Sequence, residues 1–349
     1  MKKFLNTLRI SCAVLGGIIG AGFITGREVM RFFYGANPYY SAGLLFVAVF
    51  LLIYLLLKVE NPNLIFLIKK SSVIINVFNV LILASMIGAT DSLGQSIFKI
   101  SNKIPLFSIC LLCISTLTCL NGINKLAKIT SVVVPFMILI FLCVSLTLPL
   151  SNNKFDNFTG RPIEVFSYAT MNVFLIQPFL LKIKEEKGKF SPFGVAFLSS
   201  LILVVLIVVF LNVLSDDCLT CDIPIISIVS GNLFLRYIIS IIIFIAIFTT
   251  LIAVQYPFAY KENKVRPILL ILVTVIGFAF SRMGFYVIVD KIYPIISILS
   301  LIYYVVIAFV YLLFALKMRP KRTSSRQEYI KAPYSSLQDQ ALKLARHKR

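Results

Sequence analysis

Leu15-Gly-Gly-Ile-Ile-Gly-Ala-Gly-Phe-Ile-Thr-Gly-Arg-Glu-Val-Met-Arg-Phe-Phe33 decides the reading of this chain. Glycines at 16, 17, 20, 22 and 26 interrupt an apolar run, and each costs a helix interior about 1 kcal/mol relative to alanine. Two readings account for them. Gly16-x-x-x-Gly20 and Gly22-x-x-x-Gly26 have the small-residue spacing of closely packed helices, or the helix unwinds near residues 20–23. Length and charge favour the break. The apolar stretch 7–34 has 28 residues, which at 1.5 Å each reach about 42 Å, more than a hydrocarbon core of about 30 Å requires. Arg27, Glu28 and Arg31 within it need a pathway, a partner or an interface. Backbone groups freed by unwinding are tolerated in a membrane only beside protein or a water-filled cavity. There, a half-helix starting near Thr25 presents its positive end to an anion, while the preceding carbonyls face a cation, as in a secondary-transporter site.

Outward from this stretch, the chain reads as an all-α polytopic membrane protein. Of its 349 residues, 59% are hydrophobic and 14% charged, far from the usual soluble composition. Ten apolar stretches are long enough for transmembrane helices: about 7–34, 38–57, 72–98, 104–120, 129–149, 162–181, 191–214, 232–260, 267–288 and 294–316. An even number puts both termini on one side. The termini and the loops on that side carry 25 of the 34 Lys and Arg residues, so the positive-inside rule places them in the cytoplasm. The net charge of +20 is therefore read as topology plus attraction to the lipid bilayer, and no nucleic-acid partner is implied. Met-Lys-Lys followed by an apolar run resembles a signal peptide, but the run continues into Gly26, Arg27 and Glu28, which marks a retained first span. The sole histidine, His347, leaves no basis for a His-built zinc site or a Ser-His-Asp triad, so no enzyme is expected. Cys218 and Cys221 lie in the acidic loop Ser215-Asp-Asp-Cys-Leu-Thr-Cys-Asp222, which admits a metal site, a local disulfide or an ordinary acidic loop.

Three further spans carry polar groups. The sixth reads Phe166-Ser-Tyr-Ala-Thr-Met-Asn-Val-Phe-Leu-Ile-Gln-Pro178, where Tyr168 and Asn172 bring hydrogen-bonding groups and Pro178 removes a backbone donor. It is the counterpart of the first span in a five-plus-five inverted repeat, a relation that rests on the spacing of disrupted helices. In the eighth, Thr249 and Thr250 follow Ala246. Their hydroxyls either bond back to a carbonyl one turn earlier or form an oxygen cage for a hard cation. In the third, Asp91 is either an interface charge or a cavity-lining residue that pairs with Arg27 or takes a proton.

Gly20-Ala-Gly-Phe-Ile-Thr-Gly-Arg-Glu28 resembles the Gly-Ala-Gly-Phe-Ala-Ser-Gly-Gln-Glu signature of the YkvI-like membrane proteins, a bacterial family assigned as amino-acid permeases in the amino acid-polyamine-organocation superfamily. Asn121-Gly-Ile-Asn-Lys-Leu-Ala-Lys128 with Pro135, the segment from Tyr168 to Asn172, and Gly284-Phe-Tyr-Val-Ile-Val-Asp-Lys-Ile-Tyr-Pro294 resemble it in order and spacing. The resemblance implies the LeuT-type fold: ten transmembrane helices in two inverted repeats, about 7–149 and 162–316, with spans one and six discontinuous. One transporter domain, 1–316, then precedes a basic cytoplasmic tail, 317–349, in which Asp339-Gln-Ala-Leu-Lys-Leu-Ala-Arg346 is either solvated or a helix on the membrane surface. Loop 215–231 becomes an external cap with a short re-entrant helix at 223–230. The resemblance also implies a sodium ion held by Gly16, Ile19, Ala246, Thr249 and Thr250. Span five lacks the lysine that sodium-independent relatives often carry there, which favours sodium. The substrate set it implies is Gly20, Ala21, Gly22, Phe23, Thr25, Arg27, Asp91, Tyr168 and Asn172, with the backbone N–H groups of residues 20–23 on the substrate carboxylate. Arg27 stands where the signature has Gln, and a fixed cation there favours a substrate with extra negative charge.

The expected function is thus secondary active transport in the bacterial cell membrane: sodium-coupled symport of an amino acid or related small carboxylate by alternating access. The alternative is a ligand-sensing membrane subunit of the spore-germination receptor type, which binds an amino acid without transporting it.

Overall fold

The computed structural model of the chain describes residues 2–98, 105–120, 123–148, 161–184, 189–214, 218–261 and 264–317. Residues 215–217 of the acidic loop, Asn121, Gly122, His347 and the expected tail from residue 318 onward lie outside the described residues. Helices dominate. The first expected span is three helices in series, α1 (Lys2–Ile18), α2 (Ala21–Ile24) and α3 (Arg27–Phe33), followed by α4 (Pro38–Lys58), α5 (Pro62–Lys70) and α6 (Ser72–Phe98). Then come α7 (Leu106–Leu120), α8 (Ile123–Ser145), α9 (Pro162–Lys184), α10 (Pro192–Val213), the short α11 (Pro224–Ile228) and α12 (Leu233–Ala259). A two-residue antiparallel ladder, β1 (Tyr260–Lys261) with β2 (Lys264–Val265), leads into α13 (Pro267–Ser281) and α14 (Phe285–Val287). A π-helical turn over Ile288–Ile292 joins α14 to α15 (Tyr293–Lys317). Residues Met1–Tyr304 make one compact unit, and everything below concerns it; the described part of a second, Val305–Arg349, is the C-terminal half of α15.

Among the described residues, six helical stretches are long and apolar enough to cross a membrane: Pro38–Lys58, Pro62–Ile97, Pro162–Lys184, Pro192–Val213, Leu233–Ala259 and Phe285–Leu313. Shorter apolar helices occupy Leu106–Leu120, Val133–Ser145 and Pro267–Ser281. The long helices are apolar on their outward faces as well as their inward ones. Leu51 and Leu55 on α4, Val205 on α10, Ile241 on α12 and Val275 on α13 are exposed, the surface expected of helices that face lipid.

Three of these helices start alike. Asn37 before Pro38 accepts from the N–H groups of Tyr39 and Tyr40 at 3.0 and 3.1 Å. Asn61 before Pro62 accepts from Asn63, and Ser191 before Pro192 accepts from Gly194. Each cap satisfies donors that have no partner inside the helix, and the proline that follows has no donor to lose.

Inside, α4 packs on α9 and α10, α6 on α12 and α13, and α1 on α8 and α10. Glycines set several of the approaches. A Cβ on Gly16 would meet Val134 Cγ2 at 2.8 Å, one on Gly17 Ile176 Cγ2 at 2.7 Å, and one on Gly88 the backbone nitrogen of Phe285 at 3.0 Å. Gly16 and Gly17 therefore serve close packing. Gly88 lets α6 approach the backbone of α14, which leads into the π-helical turn. Gly88→Val should lower stability by about 1 to 3 kcal/mol, the usual cost of overpacking. Equilibrium unfolding of the purified protein in detergent measures it, and an unchanged midpoint contradicts the close approach.

Candidate functional site

The break in the first span falls on both sides of a single helical turn. Gly20 donates its N–H to Ile18 O at 2.9 Å, and its carbonyl accepts from Phe23 and Ile24, both at 3.1 Å. Thr25 Oγ1 donates to Gly22 O at 2.9 Å, and Gly26 N–H to Phe23 O at 2.9 Å. Gly26 sits at φ +81°, a conformation that glycine adopts without strain, and α3 leaves from it in a new direction. The carbonyl of Thr25 accepts from Ile225 N–H of α11 at 3.2 Å. The carbonyls of Gly20, Gly22, Phe23 and Thr25 are thus paired within the protein, as a non-aqueous surrounding requires.

This geometry narrows the expected unwound segment at 20–23 to Gly20. Ala21–Ile24 is helical, and the N–H groups of Gly20 and Phe23 are spent on Ile18 O and Gly20 O, so neither is available to a substrate carboxylate. Phe23 is buried edge-on against Phe210, with ring centroids 5.2 Å apart, and Thr25 is a turn-capping residue. The expected discontinuity of span six is likewise absent: α9 runs through Pro178 from Pro162 to Lys184.

Beside the break lies a cavity of about 670 Å³. Gly16, Gly17 and Gly20 form one wall, Asn79, Ile82 and Met86 of α6 another, Met171, Asn172 and Ile176 of α9 a third, and Thr249, Thr250 and Ala253 of α12 a fourth. Glu28 and Tyr293, both buried, line one end, and the exposed Lys69 and Lys182 line the other. The lysine end is also the end where α1 starts: Thr7 Oγ1 accepts from Ser191 N–H at 3.0 Å, and Asn6 Nδ2 donates to Lys189 O at 3.4 Å. The cavity therefore opens at the N-terminal end of α1 and ends blind at the break.

Beyond the blind end the chain is tied shut. The Arg27 side chain is 3% exposed and puts Nη2 3.0 Å from Asp290 Oδ1. Its Nη1 donates to the carbonyls of Leu219 and Cys221, and its guanidinium lies 3.9 Å from the ring centroid of Tyr286. Arg31 Nε donates to Asp290 O at 3.1 Å. Asp290 sits in the π-helical turn, a local distortion often found where a side chain must be re-aimed. At the same end Arg282 Nη2 lies 2.8 Å from Asp91 Oδ2, and Ser92 Oγ donates to Asp222 Oδ2 at 2.7 Å. Asp91 thus pairs with Arg282 and not Arg27, and neither Asp91 nor Arg27 lines the cavity. The reading of Arg27 as a fixed cation facing the substrate is corrected: its charge is spent on Asp290.

Glu28, which follows Arg27, turns the other way. Successive helical side chains diverge by about 100°, so the acid enters the bundle while the arginine faces the closed end. Its carboxyl occupies the space beside Gly22, where a Cβ would run into it. Tyr168 donates its hydroxyl to Glu28 Oε2 at 3.3 Å, and the Tyr168 ring is held by Phe32 and Phe33, each with centroids 5.1 Å away. Asn172 Nδ2 donates to Tyr168 O at 3.0 Å.

The other expected ligands are gathered on one wall. Thr249 and Thr250 donate their hydroxyls to Ala246 O at 3.0 and 2.8 Å, the helical back-bonding weighed from the sequence. Thr250 Oγ1 also lies 3.4 Å from the position a Cβ would take on Gly20. Three oxygens therefore converge beside the break, and each hydroxyl keeps acceptor lone pairs. Gly16 lines the cavity with them, while Ile19 is buried behind it. Sequence reasoning missed Asp290 and the placement of Glu28 in the cavity, although Asp290 stood within a quoted stretch as an acid in an apolar span.

Protein-family models and curated proteins were compared with the chain, and none matches.

Arg27 and Arg282 sit in ion pairs that differ in burial, and that difference is measurable. Arg27→Gln removes a buried guanidinium from Asp290, which keeps Arg31 Nε at 3.8 Å, and should cost about 2 kcal/mol. Arg282→Gln, in a pair whose arginine is 44% exposed, should cost under about 1 kcal/mol. Unfolding in detergent that ranks the two variants equally contradicts this assignment.

Proposed function

We propose that the protein is a secondary active transporter of the LeuT type, with ten membrane crossings arranged as inverted repeats over 7–149 and 162–316. It carries an amino acid in symport with sodium by alternating access across the cell membrane. The observation that carries this reading is the cavity beside the break: it is open at the N-terminal end of α1, blind at a doubly broken first span, and sealed beyond by Arg27 and Asp290. Such a cavity holds a solute while exposing it to one side only. With the termini cytoplasmic, as the distribution of Lys and Arg supports, the structure corresponds to the inward-facing state.

The seal has the properties that alternation requires. Arg27 joins α3, the 219–221 segment and the π-helical turn through polar contacts. Polar contacts at a protein end can be exchanged for water, whereas an apolar seal of the same area resists opening. The likeness of Gly20–Glu28 to the YkvI-like signature supports membership of that permease family. The convergence of the Thr249, Thr250 and Ala246 oxygens beside Gly20 supports sodium as the coupling ion. With α9 continuous, this reading puts the break of the site in the first span. Because Arg27 is committed to Asp290, it does not favour an acidic substrate over a neutral one.

Counterflow of labelled amino acids into proteoliposomes loaded with the unlabelled mixture tests the reading. Uptake should depend on sodium, and replacing Thr249 and Thr250 together by Val, which keeps shape and removes both hydroxyls, should abolish that dependence. Binding without counterflow is the result expected of a sensing subunit, and an unchanged sodium response in the double variant excludes these threonines as ligands.

A further inference from the structure

Glu28 is a carboxylate at the blind end of this cavity of about 670 Å³, 5% exposed, and no ion pair among the described residues includes it. Its neighbour Arg27 is committed to Asp290, and Lys69 and Lys182 stand at the opposite end of the cavity. Tyr168 supplies a single hydroxyl to Oε2. One neutral donor compensates little of the cost of a buried carboxylate, which is large unless a cation or a proton accompanies it.

Other residues that line the cavity present acceptors. Asn172 donates its Nδ2 to Tyr168 O, which turns its amide oxygen the other way on a residue that lines the cavity. The hydroxyls of Thr249 and Thr250 are donated to Ala246 O and so present lone pairs. A buried carboxylate with one neutral donor, in a cavity that also presents these acceptors, fits a ligand group that is positively charged and rich in donors. An ammonium group has three N–H donors and one charge, equal and opposite to the one charge here.

We infer that Glu28 binds the ammonium group of the substrate, with Tyr168 as its positioning residue, so that the cavity selects amine-bearing solutes and rejects carboxylates that lack an amine. The inference rests on the reading of this cavity as a solute site. It assigns recognition of the amino acid's amine to one side chain. Gly22 is glycine because the Glu28 carboxyl occupies the place of its side chain.

The test is thermal stabilisation of the full chain in detergent by each of the twenty proteinogenic amino acids. It is followed, for the best binder, by two analogues: the amine that lacks its carboxylate and the acid that lacks its amine. The amine analogue should bind and the deaminated acid should not, a comparison that needs only the wild-type protein. Glu28→Gln keeps the shape and the contact with Tyr168 while removing the charge, and should weaken every amine-bearing ligand about ten- to a hundredfold, the range of a charge-assisted hydrogen bond. A deaminated acid that binds as tightly as its parent overturns the inference, as does a wild-type protein that no amino acid stabilises. An E28Q variant that keeps wild-type affinity but loses the pH dependence of binding makes Glu28 a proton carrier and overturns it too. Counterflow separates this result from the transport reading. Amine binding lost in E28Q, in a protein that performs no counterflow, leaves the inference standing and removes transport. Counterflow of a deaminated acid, undiminished in E28Q, does the reverse.

Discussion

A guanidinium buried to 3% exposure must find its partners inside the protein, and Arg27 finds them on three separate elements. Asp290 reaches it from the π-helical turn, two carbonyls from the 219–221 segment, and the face of Tyr286 from α14. Those elements lie nearly two hundred residues or more from Arg27 in sequence, and their meeting at one side chain closes one end of the cavity. Other features of that end follow from it. The π-helical turn aims Asp290, Gly88 admits the backbone of α14 next to α6, and α11 donates to the carbonyl of Thr25 just before the arginine.

The same backbone geometry sends the next residue inward. Two charged residues in succession on a helix cannot share a direction, and here one ties the closed end while the other enters the cavity. Arg27 ties the closed end together, and Glu28 carries the one carboxylate of the cavity. Because α3 is short and leaves from Gly26 at φ +81°, rotation about that glycine would move both charges together.

Much of this was legible in the chain because membranes impose simple rules on sequence. Apolar runs marked α4, α6, α9, α10, α12 and α15, and clustered glycines marked the interrupted first span. The details were less legible for physical reasons. Glycine permits both close packing and chain reversal, so the spacing of the cluster could not assign Gly16 and Gly17 to packing, Gly22 to housing a carboxyl and Gly26 to the positive-φ turn. Pro178 was read as a breaker, yet α9 accommodates it, as buried helices do when neighbouring groups satisfy the freed carbonyl. Asp91 and Asp290 are both acids in apolar stretches, and only the three-dimensional path of the chain distinguishes which one meets Arg27. The pairing of Arg27 with Asp290 spans 263 residues, a separation over which local pattern carries no signal.

The central claim is that one cavity opens to one side and is sealed on the other by Arg27 and Asp290. It is tested most directly by labelling a single cysteine at Asn79, a cavity-lining position, in a cysteine-free protein reconstituted in sealed vesicles. A membrane-impermeant maleimide should label N79C from the side of Lys69 and Lys182 only, and Asp290→Asn should make the same cysteine reactive from the other side as well. Labelling from both sides with Asp290 in place, or from one side only after its substitution, would contradict the account.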